Sequence, residues 1–189
     1  MREFLSTISL LASILYLYVG LSVYLLNRKS ELCKIFLLFN ISLAVWSFAF
    51  SFVYTAITPT EYSFWNKLSS FGWCTFPSIV LYLILTITEN KFLKYWYVKL
   101  LVILPAPVFL FMVLFLFGPN IKTNHLITII FYTGDYLHNF LFLLLSILLL
   151  FSWGRKSKSL IHKKQAYIIV ITSAIPFILN MLTRTILPL

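Results

Sequence analysis

Residues 5–26 read LSTISLLASILYLYVGLSVYLL, and residues 27–30 follow as NRKS. The first stretch runs for 22 residues without a charge. An α-helix rises about 1.5 Å per residue, so about 20 apolar residues cross the roughly 30 Å hydrocarbon core of a bilayer. The run is too long for the apolar region of a secretory leader, and no small-residue cleavage pattern closes it. It reads as a retained first transmembrane helix, ended by a basic loop.

The rest of the chain repeats this alternation. The 189 residues are 61% hydrophobic and only 11% charged, and the mean hydropathy is +0.95. A soluble domain carries about 25% charged residues. So little polar surface cannot keep this much apolar side chain in water, and the fold class is all-α, a polytopic transmembrane helix bundle. Six stretches have the length to span: 5–26, 34–55, 66–88, 98–117, 133–153 and 166–187. Their short connections imply sequential antiparallel neighbours and one membrane domain over 1–189.

The cations set the expected orientation. Net charge is +10, with 15 Lys and Arg. The first loop carries Arg28, Lys29 and Lys34. The third carries Lys91, Lys94 and Lys99, and the fifth Arg155, Lys156, Lys158, Lys163 and Lys164. The second and fourth loops hold one each, Lys67 and Lys122. Lysine and arginine accumulate on the cytoplasmic side, so both termini are expected outside. This basic balance reports topology and does not point to nucleic acid. Tyr62 and Trp65 at the outer start of span three fit an interfacial belt, as do Tyr95, Trp96, Tyr97 and Trp153 at inner ends.

The polar residues inside the spans are few. No paired nucleophile and base, zinc-protease pattern, phosphate loop, metal spacing or cofactor motif is present, and no catalytic residue is expected. Cys33 and Cys74 fall at different depths, so no disulfide is expected. Asn40 is expected to bond a neighbouring helix. Pro77, Pro105, Pro107 and Pro176 should kink their helices. In TPTE, residues 58–61, the first threonine and Glu61 form a helix-start pattern.

One constellation suggests binding. Asp135 and His138 are i, i+3 on span five, and Asn180 and Arg184 are i, i+4 on span six, so each pair shares a helix face. The topology places all four in the outer leaflet. They can form an ion pair, Asp135 with Arg184, that pins two helices. They can also form the polar floor of an outward-open ligand pocket, with Trp65 and Trp73 as walls, although the ion pair is the leading reading. The two readings are compatible.

The ordered markers resemble a known family, the N-terminal seven-transmembrane region of sensor histidine kinases. NRKSELCKIFLLFNISLAVWSFAFSF (27–52) resembles its basic loop and second span, with Trp46 at the centre. EYSFWNKLSSFGWCTFPSIVLYLILTIT (61–88) is similar to the third, with Glu61, Trp65, Gly72 and Pro77. LLVILPAPVFLFMVL (100–114) and YTGDYLHNFLFLLLSILLL (132–150) resemble the fourth and fifth. HKKQAYIIVITSAIPFILNML (162–182) is similar to the sixth, with Gln165, Pro176 and Asn180. The resemblance covers residues 5–189 and rests on sparse markers in order.

It implies a sensory input module in a bacterial or archaeal plasma membrane. The module would sense a small ligand or membrane state and pass it inward by helix rearrangement. A seventh span would lead to a cytoplasmic kinase, and a kinase-linked protein would be a homodimer. The chain ends where a seventh span is expected to begin, which leaves a fragment or a stand-alone signalling remnant as the two expectations. A small transporter, or a subunit that only packs against membrane partners, is the alternative. A transporter would need a polar midplane path and commonly an inverted repeat, and neither is clear in the spans.

Overall fold

The computed structural model describes residues 2–116, 125–157, 159, 160, 163, 164 and 166. These residues form α1 (Arg2–Leu26), α2 (Glu31–Thr55), α3 (Pro59–Trp73) and α4 (Phe76–Ile87). A 3-10 turn at Lys91–Lys94 leads into α5 (Trp96–Ile103) and α6 (Pro105–Phe111). A π turn at Met112–Leu116 and the long α7 (His125–Lys156) complete them. Taken through their breaks, they make five helical stretches long and apolar enough to cross a membrane. The architecture is a transmembrane helix bundle. The expected sixth stretch, 166–187, lies outside the described residues except for Ala166.

The distribution of side chains suits a hydrocarbon solvent. On α1, Leu15 is 60% exposed and Tyr18 70%, while Ser13 is 4% exposed. Small and hydroxylic residues fill the interfaces because lipid tails are as apolar as leucine and do not drive leucines together. α2 buries Asn40, Ser42, Ala44, Ala49 and Ser51, and it sits between α1 and α3. Ser13 Oγ donates to the Ala44 carbonyl across the α1–α2 contact at 2.9 Å. Ser42, Ser51, Ser69 and Ser70 donate to carbonyls three residues back in their own helices, which meets their polar needs without water.

Asn40 departs from its expected role. Its Nδ2 donates to the Phe36 carbonyl of its own helix at 2.8 Å, not to a neighbour. The neighbour it meets is Gly20 of α1, where an added Cβ would lie 2.7 Å from Asn40 Cβ. The amide sits in a notch that only glycine leaves open.

α3 begins as the TPTE pattern predicts. Thr58 Oγ1 accepts from the Glu61 amide at 3.2 Å, and Glu61 Oε2 accepts from the Thr58 amide at 3.2 Å. Pro59 occupies the first helical turn, where no amide is needed. Expected span three, 66–88, is two helices, because Pro77 cannot donate to a carbonyl four residues back. Thr75 Oγ1 compensates by donating to the Phe71 and Gly72 carbonyls at 2.6 and 3.1 Å. Pro105 and Pro107 act similarly on expected span four, 98–117, which divides after Ile103. The π turn beyond them leaves the Leu114 carbonyl to accept from Lys67 Nζ of α3 at 3.0 Å. α7 starts at His125, well before residue 133, and at 32 residues is about 48 Å long.

Two contacts fix the bundle's spacing. At Gly72 an added Cβ would lie 2.5 Å from Trp46 Cβ and 2.9 Å from Trp46 N, and would run into the Ser42 carbonyl. α2 and α3 therefore touch backbone to backbone. On the far side, Ala166 is buried with Ile84 and Leu150, and a Cβ at Gly154 would come within 2.7 Å of its Cβ.

Gly72→Ala is expected to destabilise the bundle by about 1–3 kcal/mol, the usual range for overpacking. Leu15→Ala, on the lipid face, should change stability far less. Reversible unfolding in mixed micelles measures both.

Candidate functional site

The candidate site lies where α7 passes α4 and α6. α7 buries a polar pair in its N-terminal half: Asp135 is 4% exposed and His138 6%. The i, i+3 spacing predicted a shared face, and both side chains do turn into the protein. His138 Nε2 lies 3.1 Å from Ser78 Oγ of α4 in a buried hydrogen bond. The imidazole stacks on Phe109 of α6, with centroids 5.3 Å apart and planes 22° apart. Phe142, one turn along α7, meets it edge-on at 4.5 Å and 72°. Two aromatic faces therefore shield the ring, and its one polar tether runs to another helix.

The opposite ring nitrogen is different. His138 Nδ1 is buried and has no hydrogen-bond partner among the described residues. Either tautomer leaves a gap. If Ser78 donates to Nε2, the Nδ1 proton is unmet. If Nε2 donates to Ser78, the Nδ1 lone pair is unmet. Buried polar groups with nothing to bond are rare and point to strain or to a functional role.

Asp135 is held by its own helix. Asn139 Nδ2 donates to Asp135 Oδ1 at 3.0 Å and to the Asp135 carbonyl at 2.9 Å. Asn139 thus orients the carboxylate. Cys74 is fully buried at the α3–α4 break and packs with Phe131, one turn before Asp135.

His138 lies opposite Ser78, nine residues (78 to 87) before the end of α4 that leads to Lys91, about 14 Å along the helix axis.

The other expected members are placed as follows. Trp73 packs near this region, with its ring 6.5 Å from Phe131, one turn before Asp135. Phe131 in turn meets Phe109 at 6.1 Å, so an aromatic chain links Trp73 to His138. Trp65 is elsewhere: it stacks on Phe52 of α2 at 4.2 Å and 15° and meets Phe48 edge-on. It does not join His138. Asn180 and Arg184 lie outside the described residues. Sequence reasoning missed Ser78, Phe109, Asn139 and Phe142. Ser78 carried a signal, a lone hydroxyl beside Pro77 in an apolar run. The aromatics carried none, since phenylalanine is common throughout the chain.

What the arrangement offers chemically is recognition. It has a carboxylate, an imidazole with one free position and a hydroxyl, enclosed by aromatic rings. No group of three or more metal-ligating residues occurs among the described residues.

Ser78→Ala leaves both ring nitrogens of a buried imidazole unmet and is expected to destabilise by about 1–3 kcal/mol. The double variant Ser78→Ala, His138→Phe removes both partners and should recover most of that loss. Unfolding of the three forms in one micelle system gives the comparison.

The chain was also compared with known proteins. No curated protein and no solved structure matched. A family model, described as the N-terminal 7TM region of histidine kinase, matches residues 8–189. The match covers the buried pair of α7, the capping box and the small-residue interfaces alike. In that family the kinase lies elsewhere in the protein. The chain belongs to the family of N-terminal seven-transmembrane regions of histidine kinases.

Proposed function

We propose that this domain senses a small ligand or a membrane state through the polar site on α7 and passes the signal inward as a helix rearrangement. The observation that carries the reading is the His138 imidazole, tethered to α4 by one nitrogen and unmet at the other. Polar residues at membrane depth are expensive and tend to be functional.

The mechanism follows from the tether. Nδ1 is free to accept or donate to a ligand or to take a proton, and Asp135 stands one turn outward. Asn180 and Arg184, on one face of the sixth apolar stretch, are proposed to complete the polar set. Trp73 is the proposed wall, with Trp65 a more remote one. Occupying the site alters the balance of forces on the imidazole and hence on its bond to Ser78. α4 and α7 are then free to adopt a second relative position. Only a ligand with different affinity for the two positions can shift the balance.

The helix breaks make such movement local. α4 starts after the Cys74–Thr75 break, and α6 is bounded by prolines and a π turn. Helix interruptions of this kind absorb small rotations. The inner ends of α4 and α7 lead to Lys91 and Lys94, and to Arg155 and Lys156, where an output would read the shift. As an input to a kinase, the domain is proposed to work as a homodimer in the cell membrane.

Asp135→Asn and Arg184→Gln, made singly, should each change autophosphorylation of the kinase this region serves, assayed in native membranes. If both variants insert and signal as the unmodified protein does, the site is not the sensor.

A further inference from the structure

A recess opens beside α4 and shares Ser78 with the His138 site. It is a cavity of about 660 Å³ between α2, α4, α5 and α6, within the range of small-ligand sites. Its walls are nearly all hydrocarbon. Its rim residues Leu38, Ile41 and Ile103 are 52%, 38% and 52% exposed, so the recess opens sideways, towards lipid. Ser78 contributes to its wall while its hydroxyl meets His138.

One end of the recess is charged. Lys34 is one turn before Leu38 on α2, and Lys99 is one turn before Ile103 on α5, so each lysine shares a helix face with a rim residue. Both lysines are exposed, and neither forms an ion pair among the described residues. Arg28, Lys29, Lys91 and Lys94 lie at the same end of the bundle. The opposing groups at this end are Glu89, two residues before Lys91, and Glu31, whose Oε1 accepts from the hydroxyl of wall residue Tyr82 at 3.1 Å. That bond orients the Glu31 carboxylate toward Tyr82, and the six cations of this end outnumber the two acids. Lysines at the membrane surface attract anionic headgroups.

The geometry points to a binding site for an anionic phospholipid of the lysine-side leaflet. One acyl chain occupies the recess, and the phosphate is held between Lys34 and Lys99. The apolar walls take the chain, the sideways opening admits it from the bilayer, and the two lysines select its charge. A bound chain touches α4 beside Ser78, so lipid composition acts on the same helix that holds His138. The proposal does not depend on the sensory reading, because lipid selectivity is measured without a kinase.

The test places a photo-crosslinking amino acid at Ile41 in the full chain. The protein is reconstituted in vesicles mixing phosphatidylglycerol and phosphatidylcholine, and the adducts are identified by mass. Phosphatidylglycerol should dominate beyond its share of the mixture. Each lysine near an anionic headgroup contributes about five-fold, so the double variant Lys34→Gln, Lys99→Gln should abolish most of the preference. Leu38→Trp, which fills the rim, should lower the yield with both lipids while leaving the lysines in place. Equal labelling of the two lipids overturns the proposal. So does a preference that survives loss of both lysines, or an adduct chiefly to a second copy of the chain.

Discussion

Inside hydrocarbon no water is present to accept or donate a hydrogen bond, so every polar group must find its partner within the protein. That constraint explains most of what this chain buries. Ser42, Ser51, Ser69 and Ser70 return their hydroxyls to their own helices, Asn40 does the same with its amide, and Ser13 reaches the Ala44 carbonyl of α2. Thr58 and Glu61 close the start of α3. Thr75 and Lys67 reach carbonyls next to helix breaks. Against this background the unmet nitrogen of His138 stands out, because the rest of the described structure avoids that situation.

The bundle divides into two mechanical parts. α1, α2 and α3 approach closely at Gly20 and Gly72, where added atoms would strike a neighbour, and through the Ser13–Ala44 hydrogen bond. Close backbone contact leaves little room for sliding, so these helices act as a platform. α4 to α7 are joined through the Ser78–His138 hydrogen bond, aromatic rings and apolar clusters around Leu81, Leu85, Ile84 and Leu150, and their stretches are interrupted at Pro77 and Pro105. A sensor needs both parts, a fixed reference and an element with two positions. The lipid-facing recess lies along the boundary between them, lined by α2 on one side and by α4 to α6 on the other.

Much of this was legible in the sequence, and the limits have physical causes. Length and hydropathy identify membrane helices directly, since bilayer thickness sets the scale. The capping pattern at Thr58 was readable because it depends on residues three apart. The shared inward face of Asp135 and His138 was readable for the same reason. Span limits were less so, because α3 and α7 continue past the apolar window into polar residues, as at His125 and Pro59. The partner of His138 was not readable. Contact between α4 and α7 depends on how helices far apart in sequence lean on each other, and hydropathy carries nothing about lean. The same gap separated Trp65 from Trp73: both are tryptophans of one stretch, yet the turn of the helix sends one to Phe52 and the other to Phe131.

The central claim is that the Ser78–His138 bond sets the relative position of α4 and α7 while α1 and α2 stay fixed. Spin labels at Lys91 and Arg155 report the first distance by pulsed electron resonance, and labels at Glu3 and Ile57 report the second. With Ser78→Ala, the Lys91–Arg155 distribution should shift or broaden and the Glu3–Ile57 distribution should stay unchanged. Identical Lys91–Arg155 distributions in the two proteins, or equal changes in both pairs, would contradict the account.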